Sequence, residues 1–325
     1  MVDVARAAGV GLGTVSRVVN EDPNVRSYLV ERVNEAIAAL GYRRDERARQ
    51  LRRGVSGTLG AAVRGISRAN PVLRAVERVA RSNDLMVLAT STEDDERLEK
   101  EVVMAMCRQG FDGLIIEPTA ARHDYLVPEI RAGLAIVAFD RPMRGAKVDH
   151  VICDNRLGIE LAFRHLVDHG HSRIGYIGDF ERIFTGRERA NAFRRCVARH
   201  GGSVDGLVHT GGDSDPERIG AALDAMTSKR WPVTAVITGN ANCTIQTLAR
   251  LRSEAHAPAV VGFDDDETAL LLRPDLTVVA QDSEAVGRTA VELLRERIAD
   301  PGLAPRRVTT PVQLIVRGSG KLPPR

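Results

Sequence analysis

Along the first forty residues the apolar positions are sparse and spaced for helices. Val4, Ala5 and Ala8 form one small face, Val15, Val18 and Val19 a second, and Val30, Val33, Ile37 and Leu40 a third. Gly41 follows the third, where a left-handed helix stop is expected. After residue 57 the texture changes. Short β-branched runs begin at 58 ("TLGAAV"), 85 ("LMVLA"), 113 ("GLIIE"), 135 ("AIVAF"), 173 ("RIGYIG"), 234 ("TAVIT") and 259 ("AVVGF"). Helical patterns such as 98–106 and 157–166 lie between them. Continuous apolar strands separated by helices predict parallel α/β sheets covered on both faces. About 265 residues exceed one such sheet, so two similar lobes with a cleft are expected. In such folds ligands sit outside the carboxyl ends of the strands. No short-period repeat is visible, which argues against solenoids and propellers.

The stretch "AGVGLGTVSRVVNEDP" at 8–23 tests the polar side of the pattern. A dinucleotide loop needs a preceding strand and G-x-G-x-x-G opening a helix. Here "VDVARAA" reads as helix, the spacing is G-x-G-x-G, and no Lys-Ser/Thr pair follows. A helix-turn-helix fits better: helix one over about 3–8, Gly9 in the left-handed turn, helix two from near Leu12. The first turn of helix two would then enter the major groove, exposing Leu12, Gly13, Ser16 and Arg17. Thr14, Ser16 and Asn20 can reach phosphate or base edges, and Arg17 suits a bidentate guanine or phosphate contact. Val15 and Val18 read as core.

Charge sharpens this division. Residues 1–54 hold ten Arg against seven acidic residues, so the whole net charge of +3 lies there. Six of the eleven residues from Arg43 to Arg53 are Arg. Such a run is either a solvated helix face or linker, or a phosphate-contacting segment. "GVSG" at 54–57 reads as a joint.

Composition excludes other classes. Hydrophobic residues make up 43% and aromatics 4%, no apolar run approaches a membrane span, and no secretory pattern opens the chain, so a cytoplasmic location is expected. Cys107, Cys153, Cys196 and Cys243 form no CxxC pair and read as small hydrophobes in a reducing compartment. No nucleophile elbow or H-E-x-x-H occurs, the eight histidines are scattered, and His171 reads as packing at a strand start. The run Asp264-Asp265-Asp266-Glu267 lacks the spaced oxygens of a calcium loop. No enzyme activity, metal or cofactor is expected.

"DVARAAGVGLGTVSRVVNEDPNV" and "AIAALGYRRDERARQLRRG" closely resemble the start of the lactose-repressor/galactose-repressor (LacI/GalR) family of bacterial transcription regulators. The likeness continues through "FDGLIIEPT", "FDRPM", "VICDNRLG", "HLVDHGHSRIGYIGD", "TGRERANAFRR", "VVGFDDDETA", "RPDLTVVAQDSEAVGRTAVELL" and "PVQLIVRGSG". The resemblance implies a helix-turn-helix domain over 1–54 and a hinge helix over about 45–53. In the hinge, Leu51 would wedge into the minor groove, with Arg49 among the flanking arginines; outside the family Leu51 is an ordinary apolar linker residue. It implies a two-lobed, periplasmic-binding-protein-like body over 55–325, with crossovers near 153, 282 and 310. Effector contacts would fall on Asp140, Asp154, Asn155, Arg189, Asn240, Asp264 and Gln281. These groups suit a polyol, although each Asp can equally cap a turn or helix after a strand. The implied protein is a homodimeric repressor of carbohydrate genes, binding near-palindromic double-stranded operator DNA and controlled by a sugar. A purine or other metabolite as effector, or a solute-binding protein without DNA function, are the alternatives; the leading helix-turn-helix argues against the last.

The departures are specific. The family usually has several residues with a Thr/Ser-Ile pair before helix one, whereas this sequence starts Met1-Val2-Asp3, so helix one is expected to lack its cap. Gly11 replaces a capping Ser, a weaker cap. Arg26 replaces another Ser, Asn240-Ala241 the usual Asn-Asp, and "EAHAPAVV" is a shortened loop. The first helix of the body, after Asn70-Pro71, is expected to be about one turn short and to lose aromatic residues that line the pocket in relatives.

Overall fold

The computed structural model describes residues 1–20, 22–42, 56–66, 70–211, 215–228, 232–252, 254 and 257–324. The chain divides into two compact units, Met1–Ser56 and Gly57–Arg325.

The first unit holds α1 (Val2–Ala8), α2 (Leu12–Val19) and α3 (Ser27–Ala39). Their apolar faces meet at Val4, Ala8, Val15, Val18, Val33 and Ala36, with Val10, Val30 and Ile37 packed around them. Gly9 ends α1 in the left-handed region at φ 60°. Leu40, expected inside, is 49% exposed. It is the last residue before Gly41 turns the chain at φ 57°, so the helical face it would have joined stops short of it. The expected hinge helix, with Arg49 and Leu51, lies outside the described residues.

The second unit contains two six-stranded sheets. The first is built from β1 (Thr58–Val63), β2 (Met86–Ser91), β3 (Gly113–Ile116), β4 (Ala135–Phe139), β5 (Asp149–Cys153) and β11 (Arg307–Thr310). Its order is β11-β5-β4-β3-β1-β2, parallel throughout. Alternate residues of each strand enter opposite cores. Leu59, Ile115 and Val137 pack on one face with α4 (Pro71–Arg81) and α11 (Ser283–Ala299). Leu114, Ile116 and Ile136 pack on the other with Val103 and Met106 of α5 (Glu96–Arg108). Short α6 (Val127–Arg131) precedes β4. Burial on both faces explains why these strands read as unbroken apolar runs.

The second sheet comprises β6 (Ile174–Gly178), β7 (Val208–Thr210), β8 (Ala235–Thr238), β9 (Ala259–Phe263), β10 (Thr277–Gln281) and β12 (Val312–Ile315). The order is β12-β10-β9-β8-β6-β7, with only β12 antiparallel. Its helices are α7 (Asn155–Asp168), α8 (Phe184–Arg199), α9 (Pro216–Thr227) and α10 (Ala241–Leu251). The chain changes lobe between β5 and α7, between β10 and α11, and between β11 and β12. Five strands, β5, β7, β10, β11 and β12, were not among the seven apolar runs. β7, β11 and β12 are edge strands with partly exposed residues, and β5 opens on a charged residue.

That residue, Asp149, is fully buried yet well partnered. Arg297 of α11 donates to both its carboxylate oxygens at 2.8 and 3.1 Å, and the Arg306 N–H donates at 2.7 Å. Burial alone would raise the Asp149 carboxyl; the Arg297 hydrogen bonds and charge, with Arg306, hold it below the usual range. Stability from this group is therefore present above about pH 4 and lost as pH falls through the folded-state value. Arg297→Ala should cost about 3–5 kcal/mol at pH 7 by stranding a buried carboxylate. The gap to wild type should narrow as pH falls, because the stranded Asp149 of the variant protonates before the Arg-paired carboxylate of the wild type. Urea unfolding curves of both proteins at pH 7 and pH 3 measure this; an undiminished gap at pH 3 would contradict it.

Candidate functional site

In the first unit, α2 presents Leu12, half exposed despite being a large apolar residue, together with exposed Gly13 and Arg17. Thr14 and Ser16 are partly buried beside them, while Val15 and Val18 turn into the core. Gly11 is the N-cap and supplies no side-chain cap, so the first-turn N–H groups of α2 are left to solvent or to a phosphate. Asn20 is exposed at the end of α2. Its amide donates to the Ser16 carbonyl at 2.7 Å at the helix C-terminus. Arg32 of α3 donates to the Ala8 carbonyl at 2.6 Å and so braces the turn. Met1 precedes α1 without a side-chain cap.

In the second unit the strand ends of both lobes bring polar groups together around one arginine. Arg189, on α8, is only 4% exposed. Its Nε donates to Asn155 Oδ1 at 2.6 Å, its Nη1 donates to the Gly239 carbonyl at 2.6 Å, and its guanidinium lies 3.6 Å over the Phe263 ring. Burial opposes its charge; Asp264 and then Asp140 hold it protonated and raise its pKa above the usual arginine value. Asp140 follows β4 in one lobe and Asp264 follows β9 in the other. Both adopt left-handed backbone, at φ 61° and 73°. For a non-glycine residue this conformation costs energy, and such strain gathers at binding sites. Gln281, at the end of β10, donates to Asp264 Oδ1 at 2.6 Å. Asp264, Asn155, Arg189, Gln281 and Asp140 therefore form one charged, polar centre between the lobes.

Asp154 and Asn240 stand beside this centre in another role. Asp154 accepts from the Leu157 N–H at 2.9 Å and caps α7; Asn240 accepts from the Cys243 N–H at 2.8 Å and caps α10. A helix starting straight after a strand needs such a cap. Other residues at the strand ends join the cleft without having been singled out. Glu117 after β3 pairs with Arg64 after β1, and buried Arg141 after β4 donates to Asp94 at 2.8 Å. Burial would raise the Asp94 carboxyl, but Arg141 and Arg64 hold it low. The strand-end rule points to all four; residue type alone does not, because charged residues flank every loop.

Known proteins resemble the chain over nearly its whole length. Residues 1–45 match the model of bacterial regulatory proteins of the lacI family, and residues 163–320 match a periplasmic binding protein-like domain. The ribose operon repressor of Escherichia coli is 29% identical over 98% of this chain and 99% of its own length. GalS of Salmonella typhimurium is 29% identical over 90% and 87%. The Lac repressor dimer bound to operator and the anti-inducer ONPF superposes with a TM-score of 0.83, at 23% identity over 98% of both chains, which shows the fold. The transcriptional regulator CelR in complex with cellobiose gives 0.69 at 27% identity, again over 98% of both.

Along nearly its whole length the chain is similar to regulators of the LacI family, whose model its first 45 residues match.

Against the LacI-family pattern, the positions that depart are informative. Gly11 leaves α2 without a side-chain cap. Aromatic groups still reach the cleft, from the second lobe: Phe263 under Arg189, and Phe180 under Arg182 at 3.9 Å. The turn glycine is constrained from two directions. Gly9 has positive φ, and a Cβ there would meet Arg32 Nη2 at 2.8 Å. Gly9→Ala should therefore destabilise the helix-turn-helix by about 1–2 kcal/mol. Amide hydrogen exchange at Val15 and Val33 of the full chain should accelerate by about tenfold, while the sheet amides of the second unit keep wild-type rates.

Proposed function

We propose that this protein is an effector-controlled repressor that binds operator DNA as a homodimer, each protomer reading one half of a near-palindromic site. The observation that carries the reading is the presence in one chain of two parts: a compact helix-turn-helix unit with an exposed Leu12–Arg17 face, and a two-lobed body whose strand ends converge on Arg189. Leu12, Gly13, Thr14, Ser16 and Arg17 contact the half-site, with Arg49 and Leu51 in the minor groove at its centre. A sugar or sugar derivative binds between the lobes, its hydroxyls shared among Asp140, Asn155, Arg189, Asp264 and Gln281. Ligand that prefers one arrangement of the lobes shifts the population of operator-competent molecules. Such a protein works in the cytoplasm, where its DNA is.

Three measurements on the full chain test this. Operator affinity, read by mobility shift on DNA upstream of the gene, should fall by about 10³ or more between 50 and 200 mM salt, as neutralisation of several phosphates requires. Arg17→Ala should weaken operator binding by about 1–3 kcal/mol if it reads a base edge, with a larger effect on operator than on random DNA. A thermal-shift screen of sugars, sugar acids and purines should then identify a ligand that changes the mobility shift. A salt-independent affinity would sink the repressor reading, and a purine as the sole hit would replace the sugar.

A further inference from the structure

Beside the Arg189 centre the cleft contains a cavity of about 170 Å³, walled by the loop after β3, the loop after β4 and the start of α8. Its charged lining is Arg141 and Arg144 from one lobe, Arg182 and Arg187 from the other, and Glu96. The Glu96 carboxylate already accepts the Ala121 N–H at 3.2 Å. Arg141 decides what the cavity is for. It is 5% exposed, and its Nη1 is used by Asp94 and by the Pro118 carbonyl. Its Nε lies 3.7 Å from Asp140 Oδ2, an ion pair too long for a hydrogen bond, and both Nε and Nη2 are buried without an acceptor. A buried guanidinium edge with two unused donors is the fork that a carboxylate or phosphate fills.

The opposite wall points the same way. The sixteen-residue helix α8 begins at the cavity; its N-cap, Ile183, supplies no capping side chain, and its first turn carries no acidic residue. Its first-turn N–H groups and positive dipole end favour an anion. The sequence instead places two further cations there: Arg182, stacked on Phe180, and Arg187, which donates to the Glu181 carbonyl at 3.2 Å. Cations facing one another across a cleft repel, and an anion seated between them reverses the sign.

We infer that the effector of this protein is anionic, a sugar acid or sugar phosphate. Its carboxylate or phosphate sits on Arg141, Arg144, Arg182, Arg187 and the α8 N-terminus, while its hydroxyls reach the Arg189 centre. This rests on the proposed effector role of the cleft and narrows the ligand class. Because the two clusters of arginines come from different lobes, the anion itself favours lobe closure, coupling charge recognition to the switch.

Isothermal titration of the full chain with matched ligands tests the inference: ribose, ribonate and ribose 5-phosphate; glucose, gluconate and glucose 6-phosphate; and inorganic phosphate. In at least one set an anionic member should bind at least tenfold tighter than its neutral counterpart and than inorganic phosphate. Arg144→Gln combined with Arg182→Gln should remove at least tenfold of that affinity; both side chains are exposed, so the thermal melt of the variant should stay that of wild type. Neutral sugars binding as tightly as their anionic partners, unchanged affinity in the double variant, or no binding by any of the panel at 10 mM would overturn it. Inorganic phosphate matching the sugar phosphate would overturn assignment of the anion to the effector. Operator binding by the same ligand-free preparation is scored separately, since its loss strikes the repressor reading and not the arginine cavity.

Discussion

The cleft is organised around one buried cation. Removing the Arg189 guanidinium from water is costly unless every side of it is answered. Here Asn155 and Gly239 accept its hydrogens, Phe263 covers its face, and Asp140 and Asp264 supply opposite charge. These partners come from both lobes. Asn155 is the first helical residue after the first crossover, and Asp140 directly follows a strand of the other sheet. The same contacts that keep Arg189 charged therefore bind the relative position of two sheets to the electrostatics of the space between them. A hydroxylated ligand entering there competes for hydrogen bonds that also set lobe geometry, which is what a ligand-operated switch requires.

The three lobe crossings give this arrangement its leverage. The lobes are joined through strand ends, at the same edge where the polar groups gather. Strain is concentrated there too. Asp140 and Asp264 occupy equivalent positions, each directly after an inner strand and each in left-handed backbone. Away from the cleft the charges are anchored for stability alone, as Asp149 and Arg297 illustrate by tying α11 to β5.

Much of this was legible in the sequence, and the gaps have physical causes. Inner strands that are apolar throughout announce themselves, as "AIVAF" and "AVVGF" do, whereas inner β5 and β10 begin or end on polar residues and lose that signature. Edge strands such as β7 and β11 keep polar residues on exposed positions and lose that signature. The helix-turn-helix was readable from Gly9, whose left-handed turn admits little else, and from the valine spacing around it. Leu40 misled because periodicity does not reveal where a helix stops. At the site, residue type identified the acids and amides but not their duties. Asp154 and Asn240 look like ligand groups, yet the local need for an N-cap claims a side-chain oxygen of each. Arg141 was passed over beside Asp140, since nothing in a string of letters shows that a guanidinium is buried with donors to spare.

The central claim is that ligand in the cleft and DNA on the helix-turn-helix unit are coupled through one conformational equilibrium. Coupling of that kind is reciprocal: whatever factor the effector imposes on operator affinity, the operator must impose on effector affinity. The direct measurement is titration of the identified effector into the protein, alone and saturated with a cognate operator duplex. The account predicts affinities that differ by about 5- to 150-fold, matching the change in operator affinity measured the other way round. Equal effector affinity with and without operator would contradict it.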